Sequence, residues 1–164
     1  MKGKGVASMD KTNVMRLLDG KKLAYQAYQY PSETALSGVE VAELLGLNER
    51  EVFKTLVTVG KPHMYYVFIV PVAEELDLRK AAQAVGEKSV EMLKAKELLP
   101  LTGYVHGGCS PIGMKKQFPT TIDASAEGLE RIVFSAGRIG YQVAMPLETL
   151  RKVMPVRSAA LVSR

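Results

Sequence analysis

Two apolar runs, residues 56–59 and 64–70, flank Gly60-Lys61-Pro62-His63. The second reads MYYVFIV, dense in β-branched and aromatic residues, and it is too short for a buried helix. Four turn-forming residues between two such runs predict a hairpin.

The helices announce themselves by their ends. Thr12 is a good N-cap before Val14, Leu17 and Leu18, and Gly20 reads as the stop. Ser37 with Glu40 three residues later forms a capping box ahead of Val41, Leu44 and Leu45, closed by Gly46. Asn48 and Glu51 repeat the device before Val52-Phe53-Lys54-Thr55-Leu56. Asp77 opens a further helix carrying Leu78, Ala81, Ala82 and Val85, with Gly86 after it. A short helix is expected over residues 95–99, and a last one begins at Pro146 with Leu147, Leu150 and Met154 on one face.

Strands are expected at residues 23–30, 90–93, 104–106, 120–123, 131–135 and 141–144, with a short one over 159–162. Strands and helices interleave irregularly and no repeat or linker is visible. The reading is a single mixed α+β domain over residues 9–164, after a loose leader at 1–8. No apolar run reaches 18 residues, so no membrane span is expected. One cysteine cannot make an internal disulfide, which suits a reducing cytoplasm. The formal charge of +5 fits an anionic partner such as RNA. With four Phe and no Trp, a surface platform for base stacking is not suggested.

The densest chemistry lies in Gly107-Gly108-Cys109-Ser110-Pro111-Ile112-Gly113-Met114-Lys115-Lys116. Gly108 and Gly113 have the spacing of a phosphate loop, but Met114 follows where Lys is needed and no Ser or Thr comes next. A nucleophilic Cys109 would need a neighbour that lowers its pKa, and a strand would turn His106 to the opposite face. A buried structural cysteine is the better default. One Cys and two His lack the paired spacing of a zinc site. Two readings stay open: a glycine-rich main-chain donor site for a carbonyl oxygen, or a plain tight turn. Lys115 and Lys116 suit RNA phosphates or a solvated turn equally.

The ordered set Val52-Phe53-Lys54-Thr55-Leu56, Pro71-Val72, Leu76-Asp77-Leu78-Arg79-Lys80, Val90-Glu91-Met92, Thr102-Gly103-Tyr104, Gly107-Gly108-Cys109-Ser110-Pro111-Ile112-Gly113, Pro119-Thr120-Thr121-Ile122-Asp123 and Ser135-Ala136-Gly137-Arg138-Ile139-Gly140 resembles the YbaK/EbsC family. These are deacylases that hydrolyse mischarged aminoacyl-tRNA, notably Cys-tRNA(Pro). The resemblance runs across nearly the whole chain from Met9.

It implies a mixed, mostly antiparallel, barrel-like sheet surrounded by helices and a cytoplasmic trans-editing hydrolase; no cofactor and no metal are expected. It implies a catalytic Lys54 and a Gly108 main chain beside the ester. Tyr30, Thr55, Ser110, Pro111, Ser135 and Gly137 would contact substrate, though a satisfied, partly buried hydroxyl is an equal reading of Tyr30 and Ser135. The substrate cysteine's thiol would attack its own carbonyl. Prolyl-tRNA synthetase is implied as a partner that selects the tRNA.

Two departures stand out. Gln142 occupies a place where family members often carry Asp, and a family aromatic is absent near residues 35–37. Gln142 therefore leaves two alternatives open: a non-catalytic aminoacyl-tRNA or synthetase-binding module, or a deacylase for another ester such as Ala-tRNA(Pro).

Overall fold

A computed structural model describes residues 10–31 and 36–163. The expected leader at 1–8 lies outside the described residues, as does Ala35; of the departure at 35–37, Leu36 and Ser37 are described and line a cleft. In chain order the elements are α1 (Asn13–Gly20), β1 (Gln26–Gln29), α2 (Gly38–Leu45), a 3-10 turn (Glu49–Glu51), β2 (Phe53–Val59), β3 (Tyr65–Pro71) and α3 (Leu78–Val85). There follow β4 (Glu91–Met92), α4 (Ala95–Thr102), β5 (Thr120–Asp123), a second 3-10 turn (Ala124–Gly128), β6 (Ile132–Ser135), β7 (Tyr141–Met145), α5 (Leu147–Val153) and β8 (Arg157–Ala159).

The strands make two sheets, ordered β1-β7-β6 and β4-β2-β3-β5-β8. The first sheet is antiparallel throughout, and in the second β3–β5 and β5–β8 are parallel. A parallel bridge between Val52 and Val133 ties the sheets together ahead of β2. The architecture is α+β with mixed sheets, and no ladder among the described residues closes them into a barrel.

The β2–β3 hairpin pairs in register from Phe53↔Pro71 to Val59↔Tyr65. β3 is apolar throughout because both its faces are covered. Val67 and Ile69 enter the core with α1, and Tyr66, Phe68 and Val70 pack beneath α3. A third apolar layer, Val41, Ala42 and Leu45, seats α2 on Tyr30, Val52 and Val133.

Three of the predicted caps form as expected, whereas Asn48 Oδ1 accepts from the Arg50 amide and caps only a 3-10 turn. Thr12 Oγ1 accepts from the Met15 amide, Ser37 and Glu40 close both halves of their box, and Asp77 Oδ1 accepts from the amides of Arg79 and Lys80. Gly46 and Gly86 take the left-handed conformation that ends α2 and α3. Other details differ. Gly20 stays inside α1 and Lys22 makes the left-handed turn instead. Leu44 points outward at 49 % exposure while Ala42 takes the inner face. α4 runs through Pro100 to Thr102, and the last strand ends at Ala159, leaving Val162 to bridge Leu76.

The strand expected at 104–106 is not one. Thr102 Oγ1 accepts from the Tyr104 amide at 3.0 Å, and Gly108 N–H donates to Val105 O at 2.9 Å. Those bonds fold the segment into consecutive turns before any partner strand is met.

Candidate active site

β2 begins at Phe53, so Lys54 and Thr55 are strand residues on neighbouring, opposite-facing positions. β4 pairs only with Thr58 and Val59. The Phe53–Leu56 half of β2 therefore has an edge with no β4 neighbour. Val72 N–H donates to Val52 O and Leu93 N–H to Val57 O. Alternation then turns the peptide groups of Thr55 away from β3, toward that edge.

A cleft of about 410 Å³ opens there. Val52 to Leu56 form one wall, and His106, Gly107 and Cys109 form another. Tyr30, Ser135 and Gln142 contribute buried polar groups. The size falls in the range of small-ligand sites.

Lys54 is the one lysine or arginine that lines the cleft among the described residues, and its Nζ lies 3.7 Å from Glu75 Oε2. The lysine side chain is 29 % exposed and that of Glu75 94 %. Thr55 Oγ1 is buried with no hydrogen-bond partner in the described structure. Gln142 is 6 % exposed, and its side-chain amide makes no hydrogen bond among the described residues. Ser135 Oγ accepts from the Gly137 amide at 3.1 Å, which leaves its own proton free to donate. Buried hydroxyls and amides usually have partners. Three at one cleft with spare capacity mark a surface shaped for a polar ligand.

The glycine-rich loop builds the opposite wall. A Cβ on Gly108 would lie 3.1 Å from the Ile139 amide nitrogen and 3.3 Å from the Arg138 carbonyl carbon. Only a residue without a side chain lets the two loops touch here. Gly137, at φ +95°, does the same against Tyr104 and Val14. Tyr104 Oη donates to Ile112 O at 2.5 Å, and Ser110 Oγ accepts from the Ile112 amide, fixing the loop from within.

Of the residues predicted from sequence, Lys54, Thr55, Tyr30 and Ser135 line the cleft. Gly108, Ser110, Pro111 and Gly137 do not: they form the layer behind it that sets the wall's shape. The Gly108 N–H is spent on Val105 O, while the amides of Gly107 and Cys109 carry no main-chain bond among the described residues. Glu75 and Leu98 also line the cleft and carried no sequence signal, and His106, weighed only as a partner for Cys109, lines it too. Only the fold brings Glu75 near Lys54; His106, next to the glycine pair, was the one a sequence signal could have found.

Cys109 and His106 share the cleft, so the opposite-face argument against their pairing fails with the strand it assumed. Burial decides the matter instead. It pushes the Cys109 thiol from 9.0 up to about 12. A thiol raised in this way stays protonated at neutral pH, which disfavours it as a nucleophile.

A family model described as the aminoacyl-tRNA editing domain matches residues 32–153. An Enterococcus faecalis protein, provisionally named Cys-tRNA(Pro)/Cys-tRNA(Cys) deacylase EbsC, is 46% identical over 144 residues, 87% of this chain and 88% of that relative. A Shouchella clausii proline--tRNA ligase is 32% identical over 102 residues, 62% of this chain but 18% of the ligase. Among solved structures, one provisionally described as a trans-editing enzyme for prolyl tRNA synthetase superposes with a TM-score of 0.81 at 23% identity, covering 94% of this chain and all of the other.

Proposed function

The chain belongs to the aminoacyl-tRNA editing domain family, and from that premise we propose that it deacylates mischarged aminoacyl-tRNA, with Cys-tRNA(Pro) as its substrate. The observation that carries the reading is the cleft itself. A lysine, an unpartnered threonine hydroxyl and an open strand edge face a glycine-built main-chain wall. Such a site can hold a phosphate-bearing 3′ end and an ester carbonyl together, and among its lining residues Cys109 is protonated and no Ser-His-Asp set is found.

The nucleophile then comes from the substrate. A cysteinyl thiol has a reference pKa of about 8.5, so a few per cent is thiolate at neutral pH. Its sulfur attacks the carbonyl carbon of the same residue. The C–S bond forms, the ester C–O bond breaks, and the proton lost by sulfur ends on the ribose oxygen of the released tRNA. Water opens the cyclic thioester to free cysteine. The protein's part is to hold the thiol against the carbonyl, and proximity of this kind can supply several orders of magnitude in rate.

Lys54 holds the terminal nucleotide by charge, and the main chain around Gly108, through the amides of Gly107 and Cys109, meets the carbonyl oxygen. Tyr30, Thr55 and Ser135 orient the aminoacyl group, while Ser110, Pro111 and Gly137 keep the wall in shape. Residues 9–164 act as one editing domain whose sheets curl barrel-like around the cleft. The work is done in the cytoplasm, beside prolyl-tRNA synthetase, which selects the tRNA. The likeness to proline--tRNA ligases supports that pairing.

Gln142 supports a second reading, in which the preferred ester is alanyl or another, because an uncharged amide replaces the family's frequent Asp. The test of the site is cysteine release from Cys-tRNA(Pro) by wild type and Lys54→Ala. A loss of about 10- to 100-fold in kcat/KM is expected, the worth of one hydrogen bond to a charged group. Unchanged release by a folded variant removes Lys54 from the site.

A further inference from the structure

An aminoacyl ester brings a positive charge into the cleft as well as a negative one. A peptide α-amino group has a reference pKa of about 8, and an ester lowers it somewhat, so a substantial share of the substrate's amino group is an ammonium at neutral pH. A desolvated ammonium needs an opposite charge or several acceptors. The cleft's inner polar groups, Tyr30, Thr55, Ser135 and Gln142, are all neutral. The lining holds a single carboxylate among the described residues, Glu75.

Glu75 sits between β3 and α3 and lines the cleft, with its carboxylate 3.7 Å from Lys54 Nζ. The contact is long and Glu75 is almost fully solvated, so the pair holds weakly and exchanges partners at little cost. The 3′ end of an aminoacyl-RNA carries the same two charges a short distance apart, a phosphate and an ammonium.

We propose that Glu75 is the counter-charge for the substrate's α-ammonium, and that binding trades the Lys54–Glu75 pair for two new ones, Lys54 with the phosphate and Glu75 with the ammonium. The exchange leaves no charge unmatched. It gives this chain, from the cleft rim, the negative charge that Gln142 does not provide. The proposal rests on the deacylase reading.

The experiment compares kcat/KM on Cys-tRNA(Pro) and on N-acetyl-Cys-tRNA(Pro) for wild type, Glu75→Gln and Glu75→Asp. Acetylation removes the ammonium and keeps the thiol, the ester and the RNA. Glu75→Gln is expected to slow cleavage of the free-amine substrate about fivefold, the upper end for an exposed ion pair, and to leave the acetylated one unchanged. Glu75→Asp restores part of the preference. Matching thermal melts show the variants folded, as a solvated turn position allows.

An unchanged free-to-acetylated ratio in Glu75→Gln overturns the proposal. So does faster cleavage of both substrates, which would make Glu75 a brake on RNA binding. Wild-type protein that cleaves no aminoacyl-tRNA at all overturns the deacylase reading itself, and this proposal with it.

Discussion

At the scale of single residues, the cleft separates groups that hold the protein together from groups that wait for a ligand. Thr55 Oγ1 is buried and unpartnered, so it gives up hydration without return. Thr55→Val should leave the melting temperature unchanged or raise it, while kcat/KM falls about tenfold, the worth of one hydrogen bond to a charged or developing-charge group. A fall in stability would mean that the hydroxyl is structural. Cys109 behaves oppositely. Its thiol, pushed up to about 12 by burial, should resist alkylation at pH 7–8 in the native protein and react on unfolding. Cys109→Ala should keep activity within about threefold and lose about 1 kcal/mol of stability for the small cavity it leaves. An inactive but folded variant would restore the cysteine as nucleophile.

At the scale of elements, the site depends on two loops that touch through glycine. Gly108→Ala sets a methyl 3.1 Å from the Ile139 main chain, and backbone cannot move aside as a flexible side chain can. It should cost about 1–3 kcal/mol of stability and lower turnover by shifting the wall, read by a thermal melt and by single-turnover deacylation. Full activity and an unaltered melt would show that the loops do not need this contact. What the sequence disclosed at this scale was local. The Ser37–Glu40 box, the Asp77 cap and the stops at Gly46 and Gly86 are decided within four residues, and they were readable. The turn at 104–106 was not, because a side chain outside the apolar pattern, Thr102, captures the Tyr104 amide. The cap at Asn48 does not by itself show that Lys54 is a strand residue; pairing with Val70 on β3 decides it. Lys54 and Thr55 were legible as candidates through their motif, whereas Glu75 reaches the cleft only when the β3–α3 turn folds over it.

For the whole molecule, the titrating groups set a pH window. Asp19 is held below its ordinary 3.8 chiefly by its hydrogen bond to Lys11, Asp77 below the same value by the Lys80 amide, and Glu127 below 4.5 by Arg151. A carboxyl lowered on folding contributes stability that is whole above its unfolded value and is lost as pH falls through its folded one. Cys109, Tyr104 and Tyr25 are raised to about 12, mainly by burial. Their contribution is whole below 9.0 for the thiol and 10.0 for the phenols, and is lost as pH rises toward 12. The melting temperature should therefore be flat from about pH 5 to 9 and fall on both sides. A steady decline beginning at pH 7 would contradict these assignments. At pH 7, inside that window, the formal charge of +5 suits an anionic partner, and the cleft beside β2 has the size of a small-ligand site.

The most direct test of the account charges one tRNA(Pro) in turn with cysteine, alanine and serine and follows deacylation by the wild-type protein at neutral pH. The substrate-thiol account predicts that the cysteinyl ester is removed fastest, with seryl and alanyl esters lagging by orders of magnitude, because only cysteine brings its own nucleophile into the cleft beside Lys54. If the alanyl or seryl ester is removed fastest, the account is contradicted and the nucleophile must come from somewhere other than the substrate.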